Sequence, residues 1–94
     1  MNTPRKLFLE EEVINLFNWL SDDEVLRIEL INGNKIYCLQ SDRLYEGADT
    51  LKIIKPIKGK KQQIIIIDVN AIAVVCTMSR ETYDLKLQRG ELYV

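Results

Sequence analysis

The stretch Gln62 to Thr77, QQIIIIDVNAIAVVCT, constrains this chain more than any other. Four isoleucines in a row are followed by a short break, Asp68-Val69-Asn70, and a second apolar run. Each run is too short for a helix and too β-branched to favour one. The pattern predicts two strands, over 62–67 and 71–77, joined by one tight turn. Side chains of a strand alternate between its faces, so a run that is apolar at every position leaves no face suited to water. One side fills a core; the other needs a cover, from a helix or from another copy of the chain.

The flanking segments extend the β reading. Residues 24–31 alternate, with Leu26, Ile28 and Leu30 on one side and Arg27 and Glu29 on the other. Asn32-Gly33-Asn34 then supplies a hairpin turn, because glycine and asparagine accept positive φ. Residues 35–40 return, with Ile36 and Cys38 inward. The polar segment 41–49 reads as a loop, and 51–57 as a third strand that Pro56 ends or places at an edge. Ahead of the strands, 4–20 reads as an amphipathic helix. Thr3 suits its cap, Pro4 its first position, and Leu9, Val13, Leu16, Phe17 and Leu20 its buried stripe. Phe8 and Trp19 fall off that stripe and widen the apolar arc. In the tail, 79–94, Tyr83, Leu85 and Leu87 alternate with polar residues, which favours a strand or small hairpin over a helix.

Ninety-four residues make one small domain, and 47% hydrophobic content excludes disorder. The net charge of −1 singles out no partner, but it is unevenly spread. Residues 1–34 carry −4 and residues 35–61 carry +4, a balance suited to an internal or intersubunit match. The chain has no histidine, and its two cysteines, Cys38 and Cys76, lie in apolar runs without metal-ligand spacing. No metal site, cofactor or Ser-His nucleophile is expected, and no enzymatic activity. The apolar runs are too short to span a bilayer. The N-terminus lacks a secretory pattern, so cytoplasmic residence is the expectation.

The order of elements resembles the Sm-like fold. VLRIELINGNKIYCL at 25–39 is similar to that family's first motif: a strand, a hydrophobic-Asn-Gly turn, a basic residue and a return strand. IIDVNAIAVV at 66–75 is similar to the second motif of the Hfq branch, with Ala71-Ile72 as its Ala-Ile pair. The resemblance implies a mostly β (α+β) domain over 1–94. Helix 4–20 would precede a small five-stranded open barrel, Sm-like or SH3-like, over 24–77, with an extension over 79–94. It also implies a homo-oligomeric ring, built by pairing the fourth strand of one copy with the fifth of the next. The interface would then draw on Ile64, Ile65, Ile66, Ile67, Ile72 and Val74. A ring satisfies every exposed edge with an identical neighbour.

In the Hfq branch a Lys-His pair precedes Ala-Ile and helps bind RNA. Here Val69 and Asn70 stand there. Asn70 can hydrogen-bond a base edge or ribose but brings no charge. The glycine that lets the second strand bend is replaced by Cys38, so any bend must come from elsewhere. Further candidate nucleic-acid contacts are Arg43 with Tyr45, for stacking and hydrogen bonding, and Lys58, Lys60 and Lys61 of the basic segment 52–61, for phosphate. The plainer reading of those lysines is a solvated turn that protects a strand edge. Two functions follow as expectations: an RNA-binding regulatory ring, or a protein-interaction or structural ring that binds no nucleic acid.

Overall fold

The computed structural model describes residues 10–56 and 61–91. In chain order it contains α1 (Glu10–Asn18), β1 (Glu24–Leu30), β2 (Lys35–Cys38), β3 (Arg43–Glu46), β4 (Thr50–Pro56), β5 (Gln62–Asp68), a 3-10 turn (Val69–Ala71), β6 (Ile72–Ser79) and α2 (Arg80–Gln88). The strands form two antiparallel sheets of three, in the orders β2-β1-β6 and β3-β4-β5. The protein is mostly β with a helix ahead of the strands, as expected. The described strands number six, in two sheets, rather than five in one barrel.

The β1–β2 hairpin turns where the sequence placed it. Gly33 sits at φ +89°. Its N–H donates to Leu30 O (2.9 Å), while Leu30 N–H donates to Asn34 O (2.8 Å). That pairing needs a left-handed residue after the turn, which glycine supplies without steric cost. β4 is described as far as Pro56, and the 3-10 turn follows β5 directly.

Three expectations are corrected. The segment read as a loop over 41–49 contains β3, whose Arg43 to Glu46 pair with Ile54 to Leu51. Its polar composition hid it, because only Leu44 turns inward. The tail forms α2 rather than a strand. Ser79 caps it by accepting the Thr82 N–H, and Arg80 pairs with Asp84 one turn on (3.1 Å). The apparent alternation misled because Leu85 and Leu87 are exposed and Tyr83 alone of the three is buried. On α1, Val13, Ile14 and Phe17 face the core, with Leu20 just beyond its end, while Leu16 points outward. Leu9, Phe8 and the cap at Thr3-Pro4 lie outside the described residues.

One core fills the space between the sheets. Leu26, Ile28 and Ile72 come from the first sheet, Leu51, Ile53 and Ile67 from the second, and α1 closes it with Val13. A second cluster lies on the outer face of the first sheet, where Tyr83 of α2 covers Val25 and Tyr37. The two tyrosine rings meet at 5.6 Å, and Arg80 lies over Tyr83 at 5.8 Å. Tyr37 thus sits on the outward face of its strand, but beneath a helix.

Candidate functional site

Each three-stranded sheet has two edge strands, β2 and β6 in the first and β3 and β5 in the second, of which β5 and β6 are the long ones, at seven and eight residues. Val69 N–H donates to Asp49 O (2.9 Å), which extends the β4–β5 register by one pair. Hydrogen-bonded pairs alternate along an antiparallel ladder. Leu51–Ile67 and Ile53–Ile65 are therefore bonded pairs, and the N–H and C=O of Ile64 and Ile66 point away from β4. The same argument holds for β6. Arg80 N–H donates to Asp23 O (2.6 Å), so Val25–Met78 and Arg27–Cys76 are bonded, and the backbone groups of Val75 and Thr77 point away from β1. β5 borders only β4, and β6 only β1, among the described residues. The two strands follow one another in sequence yet do not pair.

The six predicted interface residues separate by face. Ile65, Ile67 and Ile72 pack in or against the protein's own core. Ile64, Ile66 and Val74 are exposed on the outside. Beside the free side of β5 lies an open cleft of about 550 Å³, lined by Leu30, Ile36, Ile65 and Ile67, with Lys35 and Glu91 also on its wall.

The predicted nucleic-acid residues are not brought to one point. Arg43 and Tyr45 share the outer face of the second sheet, where the register puts Lys52 opposite Tyr45. Lys61 lies just before β5, while Asn70 lies in the turn beyond its other end. The seven residues of β5 place these two roughly 23 Å apart. Asp68 Oδ1 accepts both the Asn70 backbone N–H (2.8 Å) and its side-chain Nδ2 (3.1 Å). The turn thus presents a carboxylate, with the asparagine amide turned onto it. Lys58 and Lys60 lie outside the described residues.

Sequence reasoning missed one polar centre. Lys55 is 7% exposed and Asp42 5%. Lys55 Nζ meets Asp42 Oδ2 at 2.6 Å and also donates to the Tyr37 carbonyl. Asp42 Oδ2 in turn accepts the Leu39 N–H (2.9 Å), and Asp42 N–H donates to Leu39 O (2.9 Å). This knot turns the chain between β2 and β3, at the bend for which no glycine was available. Beside it, burial pushes the Cys38 thiol up to about 12, against the opposing pull of the Lys55 charge. The clue was present: in LKIIKPI, Lys55 shares the parity of Leu51 and Ile53 and so points inward, where a charge requires a partner.

Comparison with known protein families, with curated proteins and with solved structures finds no match for this chain.

Proposed function

We propose that this chain is a self-assembling, Sm-like interaction module whose copies join by pairing the free edge of β5 with the free edge of β6. In this reading β2 and β3 are the two halves of one strand, bent at the Asp42–Lys55 knot. The six strands then reduce to five in one open, strongly bent sheet.

The carrying observation is the pair of long open edges, β5 and β6, among the described residues. Two successive strands each expose backbone donors and acceptors, separated by a turn that keeps them apart. An exposed edge invites a further strand, and a contact between two different edges closes into a ring when its rotation allows. The exposed Ile64, Ile66 and Val74 beside these edges add apolar area for the same neighbour. A nucleic-acid role draws less from the geometry. The conventional turn has Val69 and Asn70 in place of the Lys-His pair and presents the Asp68 carboxylate, and the described candidate residues are dispersed.

Proline on an edge tests the proposal. Ile66→Pro and Thr77→Pro each remove an N–H that no neighbouring strand uses within the monomer, so the fold tolerates them while one edge is blocked. Ile65→Pro, by contrast, breaks the β4 ladder and destabilises the monomer. At low concentration, light scattering should show an oligomer for the parent and monomers for the two edge variants, with far-ultraviolet circular dichroism unchanged. Mixed together at that same concentration, the two variants each retain one good edge and should form a dimer and nothing larger. A parent that stays monomeric at high concentration, or edge variants that assemble as the parent does, would overturn the proposal.

A further inference from the structure

The outer faces of the two sheets differ. That of the first sheet is covered by α2. That of the second carries Arg43, Tyr45, Lys52, Ile54, Ile64 and Ile66 in two cross-strand rows, Arg43–Ile54–Ile64 and Tyr45–Lys52–Ile66. Tyr45 is 46% exposed, Ile64 54% and Ile66 64%, so no described element covers it. The surface is apolar along β5 and cationic toward β3.

Its complement lies on the same chain. α1 opens with Glu10, Glu11 and Glu12. Flanking its buried side stand Leu16, 38% exposed, and, just past its end, Trp19, 80% exposed and the chain's single tryptophan. Residues three apart share one side of a helix, so Leu16 and Trp19 form an apolar stripe at the far end from the acidic turn. Val13 and Phe17 are committed to the core, which holds that stripe away from the chain's own sheet.

We infer that the outer face of β3-β4-β5 docks the α1 stripe of a second copy, reciprocally about a two-fold axis. Trp19 and Leu16 cover Ile64 and Ile66, and Glu11 lies toward Arg43 and Lys52. The charge split, −4 over residues 1–34 against +4 over 35–61, makes the chain its own electrostatic partner. A polynucleotide fits less well, because isoleucines offer bases no stacking surface and Tyr45 is the one aromatic on the face. This contact is separate from the strand edges and survives their blockade.

Trp19 reports on it directly. In the full chain carrying Thr77→Pro, raised well above the concentration at which the edge variants are monomers, Trp19 emission should shift to the blue while light scattering records a dimer. Lys52→Glu or Ile66→Ser should move the midpoint of that shift upward by ~30-fold, the scale of losing a contact at an aromatic hot spot. Glu11→Lys placed on Lys52→Glu should recover part of the loss. Emission that does not change with concentration overturns the inference. So does a dimer whose midpoint ignores both substitutions. Salt-sensitive quenching of Trp19 by single-stranded RNA, abolished by Arg43→Glu in a chain that stays monomeric, overturns it in favour of a nucleic-acid surface. Failure of the edge-proline test leaves these outcomes readable, because the dimer is measured with one edge blocked.

Discussion

Replacing Lys55 by methionine should be among the most destabilising single changes available to this protein. The methionine matches the aliphatic stem, so packing is nearly kept, but the Asp42 carboxylate loses its cation. The side chains of Lys55 and Asp42 are 9% and 3% exposed, so water cannot replace the lost partner. Breaking a buried ion pair from one side costs about 3–5 kcal/mol. For a chain of 94 residues the whole stability is of order 5–14 kcal/mol, so roughly a fifth or more is at stake. Asp42→Asn should cost less, because an amide oxygen still accepts the Leu39 N–H while the ammonium is left unmatched. The double variant removes both charges and should recover about 1–3 kcal/mol relative to the sum of the singles. Urea unfolding followed by circular dichroism gives all three values, with the slope unchanged between variants. Moderate salt should alter the parent little, since a buried pair is poorly screened. A Lys55→Met cost below about 1 kcal/mol, the scale of a surface pair, would refute the reasoning and the assignment of the bend to this knot.

Gly33 has nothing within 4 Å of an added Cβ, so Gly33→Val should cost only its backbone strain at φ +89°, about 1–2 kcal/mol, and Gly33→Asn less, by the same denaturation assay. Glu24 is held below the usual carboxylate range chiefly by the Ser21 backbone N–H (3.0 Å) and then by its hydroxyl (2.9 Å). A depressed carboxylate stabilises above its unfolded pKa and loses that contribution as pH falls through the folded one. Ser21→Ala should therefore raise the Glu24 midpoint in a carboxylate NMR titration. Cys38 is buried with its thiol raised to about 12, whereas Cys76 is partly exposed, so a thiol reagent at mildly alkaline pH should label Cys76 first and Cys38 only on unfolding.

Much of the β framework was legible because it rests on local chemistry. Gly33 marks its turn by φ, and Asp68-Val69-Asn70 breaks an apolar run that could not otherwise stop. What stayed hidden depends on partners distant in sequence. β3 has one inward residue, Leu44, and becomes a strand because the edge of β4 is there to receive it. α2 is set by a cap at Ser79 and by the fit of Tyr83 onto Tyr37, 46 positions earlier. Lys55 reads as one of several lysines until Asp42 is folded onto it. The two faces of the isoleucine run were half legible for the same reason. Composition said that both faces of 64–67 need cover, but only the register separates Ile65 and Ile67, in and against the core, from Ile64 and Ile66 outside.

The open edges are a consequence of how the chain changes sheets. It does so at 39–42 and at 69–71, and at both places an aspartate carboxylate accepts a backbone N–H, from Leu39 in the first and Asn70 in the second. The first aspartate is buried and paired with Lys55, which fixes the bend. The second is exposed, and the turn it caps is held instead by Val69, which has no exposed surface and donates its N–H to Asp49 O. Val69 carries most of the consequence. Were β5 and β6 to pair as an ordinary hairpin, Val69 would have to leave the core for a tight loop, losing roughly 1.5–3 kcal/mol of apolar burial together with the Asp49 bond. The fold therefore keeps β5 and β6 in separate sheets, and among the described residues neither outer edge is filled. In the proposed assembly, that cost within one chain would favour a second chain as the partner for either edge.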